Sequence, residues 1–153
     1  MSAPSTGAIA EGAHRLAVRV YYEDTDAAGI VYYANWLRFL ERGRTELLRS
    51  LGHDHAGLRA ASGLNWVVRR CAIEYLKPAR LDEWVEIITR IGEVRGASLD
   101  MLQEAQRGPD TLVRAELAIA CVDVAGRPVR LPAEARAAMS RVASTPRSRH
   151  IPL

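Results

Sequence analysis

Lysine is almost missing from this chain. Lys77 stands alone among 21 basic residues, the others being arginines, against 18 acidic residues and a net charge of +3. No lysine-rich tail and no basic cluster interleaved with aromatics is present, so nucleic-acid binding is not expected. The basic groups that do occur are guanidinium forks, which suit a phosphate-bearing ligand, although most such residues only solvate a surface. Long apolar runs are missing as well. No stretch approaches the length that crosses a bilayer, and residues 1–15 lack both the basic start and the apolar core of a secretory leader. A protein that is not inserted in a membrane and resides in the cytoplasm is therefore expected. The only two cysteines, Cys71 and Cys121, are far apart and fall in expected strands, where buried reduced thiols are anticipated. His14 and His150 fall in the tails, while His53 and His55 flank Asp54 in a polar loop. Such a pair lacks the third and fourth ligands of a structural zinc, so no metal site is expected.

What is present suffices for one domain with a real core, given 153 residues of which 48% are hydrophobic. Residues 1–15, with Pro4, Gly7 and Gly12, are expected to be a disordered tail, residues 16–142 a folded domain, and residues 143–153 a flexible tail. Val18–Tyr22 has strand character, and Asp24, Asp26 and Gly29 then supply turn chemistry. From Tyr33 to Leu51 the apolar residues Tyr33, Trp36, Leu37, Leu40, Leu47, Leu48 and Leu51 form a helical stripe, closed by Gly52. Two charge pairs, Glu41 with Arg44 and Glu46 with Arg49, are placed to meet on its outer face. Gly43 interrupts a helix that alanine would favour by about 1 kcal/mol, which implies close approach to a sheet or to another subunit.

Four strand-like runs follow, Trp66–Lys77, Trp84–Val94, Ser98–Arg107 and Thr111–Val124, separated by short turns. Short turns imply hairpins and an antiparallel sheet. A last short helix is expected from Pro132 to Met139. The fold class is α+β, a five-stranded antiparallel sheet wrapped around one long helix.

The junction DTDAAGIVYYANW, residues 24–36, carries the chemistry. A helix start presents unpaired N–H groups and partial positive charge, which suit an oxygen that becomes negative in a reaction. Asp26 beside it could attack an activated carbonyl or deprotonate water while N–H groups near Tyr33 hold the carbonyl oxygen. An aspartate in front of a helix is most often a cap or a turn residue, and Asp24 is assigned that role.

Several separate stretches, VRVYYEDTD at 18–26, LERGRTE at 40–46, IEYLKPAR at 73–80, RGAS at 95–98 and ACVD at 120–123, resemble hotdog-fold acyl-CoA thioesterases. The likeness is narrower still to the YbgC type associated with the Tol-Pal system, within the 4-hydroxybenzoyl-CoA thioesterase superfamily. It implies Asp26 as the catalytic carboxylate, the backbone N–H of Tyr33 as the oxyanion donor and Tyr22 as a tyrosine near the site, whose other role would be a buried strand aromatic. It further implies Gly29, Arg95, Arg127 and Arg130 as substrate-binding positions, the arginines toward the phosphates of coenzyme A. No cofactor is implied. A homodimer or homotetramer with sheets joined edge to edge is, each site being completed by the other subunit. Many YbgC-type relatives have histidine where this chain has Tyr33, which leaves the backbone donor intact but removes any imidazole.

Glu41 is the alternative carboxylate, since other hotdog branches use one from this helix. Two rival functions come with the same family. A hotdog dehydratase or hydratase would need a histidine at the site, and none occurs from Asp24 to Leu51. A non-catalytic scaffold binding acyl carrier protein or phospholipid-synthesis enzymes would not need Asp26.

Overall fold

The structure, a computed structural model, describes residues 6–143. The expected flexible segment at the C-terminus therefore lies almost wholly outside the described residues. Six strands form one antiparallel sheet: β1 (Ala8–Ala10), β2 (Ala13–Arg19), β3 (Asn65–Tyr75), β4 (Trp84–Val94), β5 (Ser98–Arg107) and β6 (Asp110–Val122). Their spatial order is β1-β2-β4-β5-β6-β3. Helix α1 (Asn35–Ser50) crosses the inner face over β2 and β4, α2 (His55–Ser62) leads into β3, and α3 (Ala133–Val142) packs on β4.

The antiparallel sheet around a long helix is as expected, but its first edge is not. Residues 8–10 and 13–15, assigned to a disordered tail, belong to strands β1 and β2, which raises the strand count from five to six. Glu11 and Gly12 form a two-residue hairpin loop with φ of 53° and 74°, the left-handed geometry that matches strand twist. The alternation of β2 then runs inward through His14, Leu16 and Val18 and on to Val20. His14 occupies the first apolar slot, so the period is hidden by a polar residue. This histidine is not a tail residue: its Nε2–H donates to the Thr6 carbonyl at 3.1 Å, and burial pushes its pKa down. The strand also ends earlier than expected. Tyr22 starts a 3₁₀ turn (Tyr22–Asp24) and is 83% exposed, so it is not a buried strand aromatic.

Helix α1 begins at Asn35, two residues after Tyr33. Its buried face is Trp36, Phe39, Leu40, Gly43, Leu47 and Leu48, whereas Leu37 and Tyr33 are exposed. Trp36 and Phe39 meet edge to face at 5.6 Å. Full burial of a side chain such as Phe39 or Leu40 is worth about 1.5–3 kcal/mol. Of the two charge pairs only Arg49–Glu46 forms, at 3.3 Å. Arg44 instead turns inward and donates to Gln103 Oε1 at 3.0 Å, because a buried glutamine offers it an acceptor that the exposed Glu41 does not match. The loop expected at His53–Asp54–His55 is the start of α2. Asp54 caps it by accepting the Gly57 N–H at 3.1 Å, and Gly63 ends it at φ 71°. Cys121 is buried but Cys71 is exposed, because α1 does not extend across β3.

Gly43 is the point of closest helix–sheet approach. A Cβ there would lie 2.6 Å from Ile87 Cγ2, 2.8 Å from Thr89 Oγ1 and 3.2 Å from Gln103 Nε2. Gln103 uses the space to donate to the Leu40 carbonyl at 2.8 Å and to Thr89 Oγ1 at 2.9 Å. Gly43→Ala therefore gains about 1 kcal/mol of helix propensity and loses more through overpacking, which typically costs about 1–3 kcal/mol. Urea unfolding of that variant is expected to show a lower midpoint than the parent; a higher midpoint would mean that helix and sheet are not in contact there.

Candidate active site

The junction is built by one buried carboxylate. Asp24, 7% exposed, accepts the Tyr21 N–H on Oδ2 at 2.7 Å and the Asn35 side-chain amide on Oδ1 at 2.9 Å. Its carbonyl accepts the Tyr32 N–H at 2.9 Å. Asp24 thus ties the end of the β2 segment to the first residue of α1, which is more than a turn role. Between them the chain makes a tight loop. Asp26 N–H donates to the Ile30 carbonyl at 2.9 Å, the Gly29 N–H returns to the Asp26 carbonyl at 3.0 Å, and Gly29 has φ 76°. Gly29 is placed by this turn, where a left-handed backbone favours glycine. A bridge from Thr25 to Val31 closes the loop on itself, and one from Ile30 to Arg80 fastens it to the connection between β3 and β4.

The second aspartate faces outward. Asp26 Oδ1 accepts the Ala28 N–H at 2.9 Å, and Oδ2 has no hydrogen-bond partner among the described residues. The same cleft is bordered by an uncapped helix start. Ala34, the cap residue, already has helical angles of φ −70° and ψ −23° and offers no side-chain cap, and no acidic residue occupies the first turn. Serine, asparagine or aspartate at a cap position would stabilise the helix by about 1 kcal/mol. Just ahead of the helix, neither Tyr33 N–H nor Ala34 N–H has an acceptor among the described residues. Asp26, Tyr32, Ala34, Asn35 and Arg38 line a shared cleft of about 340 Å³. Arg38 was not singled out from the sequence, although it lies one helical turn beyond Ala34 and so on the same face. Glu23 and Thr25 complete its lining, whereas neither Tyr22 nor Tyr33 lines this cleft.

The other candidates lie elsewhere in the chain. Glu41 borders a separate cleft of about 390 Å³ between α1 and β3, with Arg44, His55 and Trp66. Arg95, Arg127 and Arg130 all belong to the far end of the sheet. Strand β4 separates Arg95 from the Asp26 end, and its eleven residues at about 3.3 Å each span roughly 36 Å. Arg95 is also committed to Asp100 through two bonds of 2.9 and 2.7 Å. Arg127 pairs loosely with Asp123 at 3.6 Å, and Arg130 Nη1 lies beside Gly96. Arg69 and Arg70 join Arg95 and Ser98 around a groove there. A β-bulge between Val68 and Arg70 turns them toward it, a feature with no signal in periodicity. Among the described residues no group of three or more histidine, cysteine, aspartate or glutamate side chains is gathered to hold a metal ion.

One further property bears on the site. Among the described residues β3 pairs only with β6, which leaves its eleven residues as an edge strand, and Val67, Val68, Cys71 and Tyr75 are exposed along it. Burial and the nearby Cys71 and Tyr33 raise the Tyr75 pKa.

A carboxylate with a free oxygen in one cleft with Ala34, at the start of a helix, suits addition to a carbonyl with charge held on its oxygen. Comparison with known proteins gives the family. The chain is 43% identical to the acyl-CoA thioesterase YbgC of Haemophilus influenzae over 122 residues, 79% of this chain and 90% of that one. It is 47% identical to the acyl-CoA thioester hydrolase YbgC of Escherichia coli over 112 residues, 71% and 81% of the two chains. Among solved structures, a probable thioesterase from Bartonella henselae superposes with a TM-score of 0.76 at 40% identity, covering 78% of this chain and 99% of that one. The profile of the thioesterase-like superfamily matches residues 20–139, and the chain belongs to that family, with its hotdog fold.

Proposed function

We propose that this protein hydrolyses acyl-CoA thioesters to the free acid and coenzyme A, with Asp26 as the reacting carboxylate. The observation that carries the reading is the cleft that Asp26 shares with the uncapped start of α1. Asp26 Oδ2 takes a proton from water, whose oxygen adds to the thioester carbonyl carbon. The electron pair displaced onto the carbonyl oxygen is held by the Tyr33 and Ala34 N–H groups. Collapse then breaks the C–S bond, and the proton on Asp26 returns to the departing thiolate. Direct attack by Asp26, giving an acyl-aspartyl anhydride that water cleaves, needs the same groups. Neither route calls for a cofactor.

Asp26 and Tyr33 are exposed in a single chain, whereas oxyanion stabilisation is strongest where water is excluded. A homodimer supplies the cover. Antiparallel pairing of two β3 edges would bring the partner's Asn65 end beside this chain's Tyr75 end, and with it the partner's arginine-rich end toward Asp26. The long open edge and the separation of Arg127 and Arg130 from Asp26 within one chain both support this arrangement. A homotetramer would stack two such dimers. The same chemistry extends to acyl groups on acyl carrier protein. A cytoplasmic location goes with these substrates; no helix among the described residues is long and apolar enough to cross a membrane.

Release of free thiol from short, long and aromatic acyl-CoAs, and from acyl carrier protein, tests the reading directly. Asp26→Asn is expected to lower kcat by about 10²–10⁴, the usual contribution of a positioned base, or more if Asp26 is the nucleophile. Equal rates in both proteins would transfer the role to Glu41. Subunit sharing is tested by mixing Asp26→Asn with an Arg127→Ala/Arg130→Ala variant and measuring kcat/KM. Half the dimers would be mixed and one of their two sites intact, so recovery of about a quarter of wild-type sites is expected. No recovery above the sum of the parents would place the carboxylate and the arginines in the site of one and the same subunit.

A further inference from the structure

The oxyanion donors are held from outside their own helix. Tyr75, the last residue of β3, donates its phenolic O–H to the Tyr33 carbonyl at 3.0 Å. Its ring also meets the Tyr33 ring edge to face at 6.1 Å, and Tyr33 meets Tyr32 at 5.0 Å. The carbonyl that Tyr75 holds belongs to the same peptide unit as the Ala34 N–H. That peptide is trans, so its C=O and N–H point in opposite directions. Drawing the carbonyl toward β3 directs the N–H away from β3, and Ala34 lines the cleft that contains Asp26. A hydrogen bond accepted by an amide oxygen also polarises the amide and strengthens its N–H as a donor.

We propose that Tyr75 is a positioning residue for thioester hydrolysis, orienting and polarising the Tyr33–Ala34 peptide so that the Ala34 N–H acts beside the Tyr33 N–H as a second oxyanion donor. The inference rests on the reading that the Asp26 cleft is the reaction site. Tyr75 touches neither the substrate nor the attacking group. Its effect is confined to the stage at which charge develops on the carbonyl oxygen, so it acts on kcat and not on the binding of the uncharged thioester. The phenol is suited to the task because its raised pKa keeps it a donor through neutral and mildly alkaline pH.

The sequence contains the two halves of this device forty-two positions apart, Tyr33 in the junction and Tyr75 in the stretch IEYLKPAR. Nothing in local periodicity links them. A strand tyrosine with an exposed ring would otherwise be taken for part of an interface, and the ring stacking alone would be consistent with that. The hydroxyl is what distinguishes the two roles, because an interface ring works as well without it.

The test is steady-state hydrolysis of an acyl-CoA that the wild type turns over, with thermal unfolding and sedimentation on the same samples. Tyr75→Phe keeps the ring and removes the O–H. It is expected to lower kcat about three- to ten-fold, the range of one neutral hydrogen bond, with KM, Tm and oligomeric state unchanged. Fluorinated tyrosine at position 75, a stronger donor than tyrosine, is expected to restore kcat to wild type or above, measured below its own pKa. Wild-type kcat in Tyr75→Phe would overturn the inference, as would a loss that fluorotyrosine does not restore or one that follows Tm. The underlying reading fails separately: if Asp26→Asn retains full activity, the cleft is not the site whatever Tyr75 does.

Discussion

Helix α1 can lie as low on the sheet as it does because residue 43 has no side chain. Gly43 faces Ile87, Thr89 and Gln103, and the space left by the missing Cβ is taken by the Gln103 amide reaching the Leu40 carbonyl. That contact sets the height of the helix, and the height sets much else. It brings Phe39 and Leu40 to full burial, it gives Arg44 an inward acceptor in Gln103, and it fixes where the helix start arrives at the loop from β2. A helix raised by one methyl group would carry its N–H donors away from a loop fastened to the sheet. The polar row beneath it is costly unless fully bonded, and both Gln103 amide hydrogens and its oxygen are used.

The two aspartates of the D-x-D junction illustrate how burial divides labour between identical side chains. Asp24 is enclosed, and both carboxylate oxygens are spent on Tyr21 and Asn35. It cannot react, but it makes strand and helix a single rigid unit. Asp26, two residues later and past the end of the 3₁₀ turn, is exposed and keeps one oxygen free. Helix α1 starts without a side-chain cap at Ala34, and on the proposed reading the unbonded Tyr33 and Ala34 N–H groups just ahead of it receive the carbonyl oxygen.

The main helix and the four later strands are legible in the sequence because each has a local signal: a 3.6-residue stripe, or runs of alternation ended by glycine or proline. The rest failed for identifiable reasons. β1 has three residues and a Glu-Gly turn, and His14 breaks the alternation of β2. Helix α2 carries its signals in Asp54 and Gly63, but it is short and its polar, histidine-flanked start reads as a loop. Phe39 belongs to the buried face although the apolar stripe read from the sequence omits it, and the exposure of Cys71 is not legible because nothing in a strand's own sequence says whether a helix covers it. Arg69, Arg70 and Arg38 acquire their positions from a bulge and from the loop opposite, which are tertiary facts.

The two edges of the sheet are unlike, and the difference bears on how a site divided along β4 could work at all. β1 is three residues long and presents almost no free edge, which is a common way to prevent pairing. β3 has eleven residues, with Val67, Val68 and Tyr75 exposed. An unprotected edge of that length is a liability unless it is used. Its direction is the informative part. In an antiparallel sheet the Tyr75 end of β3 lies with Asp26 and the Asn65 end with Arg127, so one chain alone holds the carboxylate and the phosphate-binding candidates at opposite ends. Two-fold pairing of the β3 edges reverses one copy against the other and converts that separation into proximity. On the proposed reading, then, the distance that argues against Arg127 and Arg130 serving their own subunit's Asp26 argues for their serving the partner's. Tyr75 stands where the two demands meet, on the strand that would pair and in contact with the peptide that would hold the oxyanion.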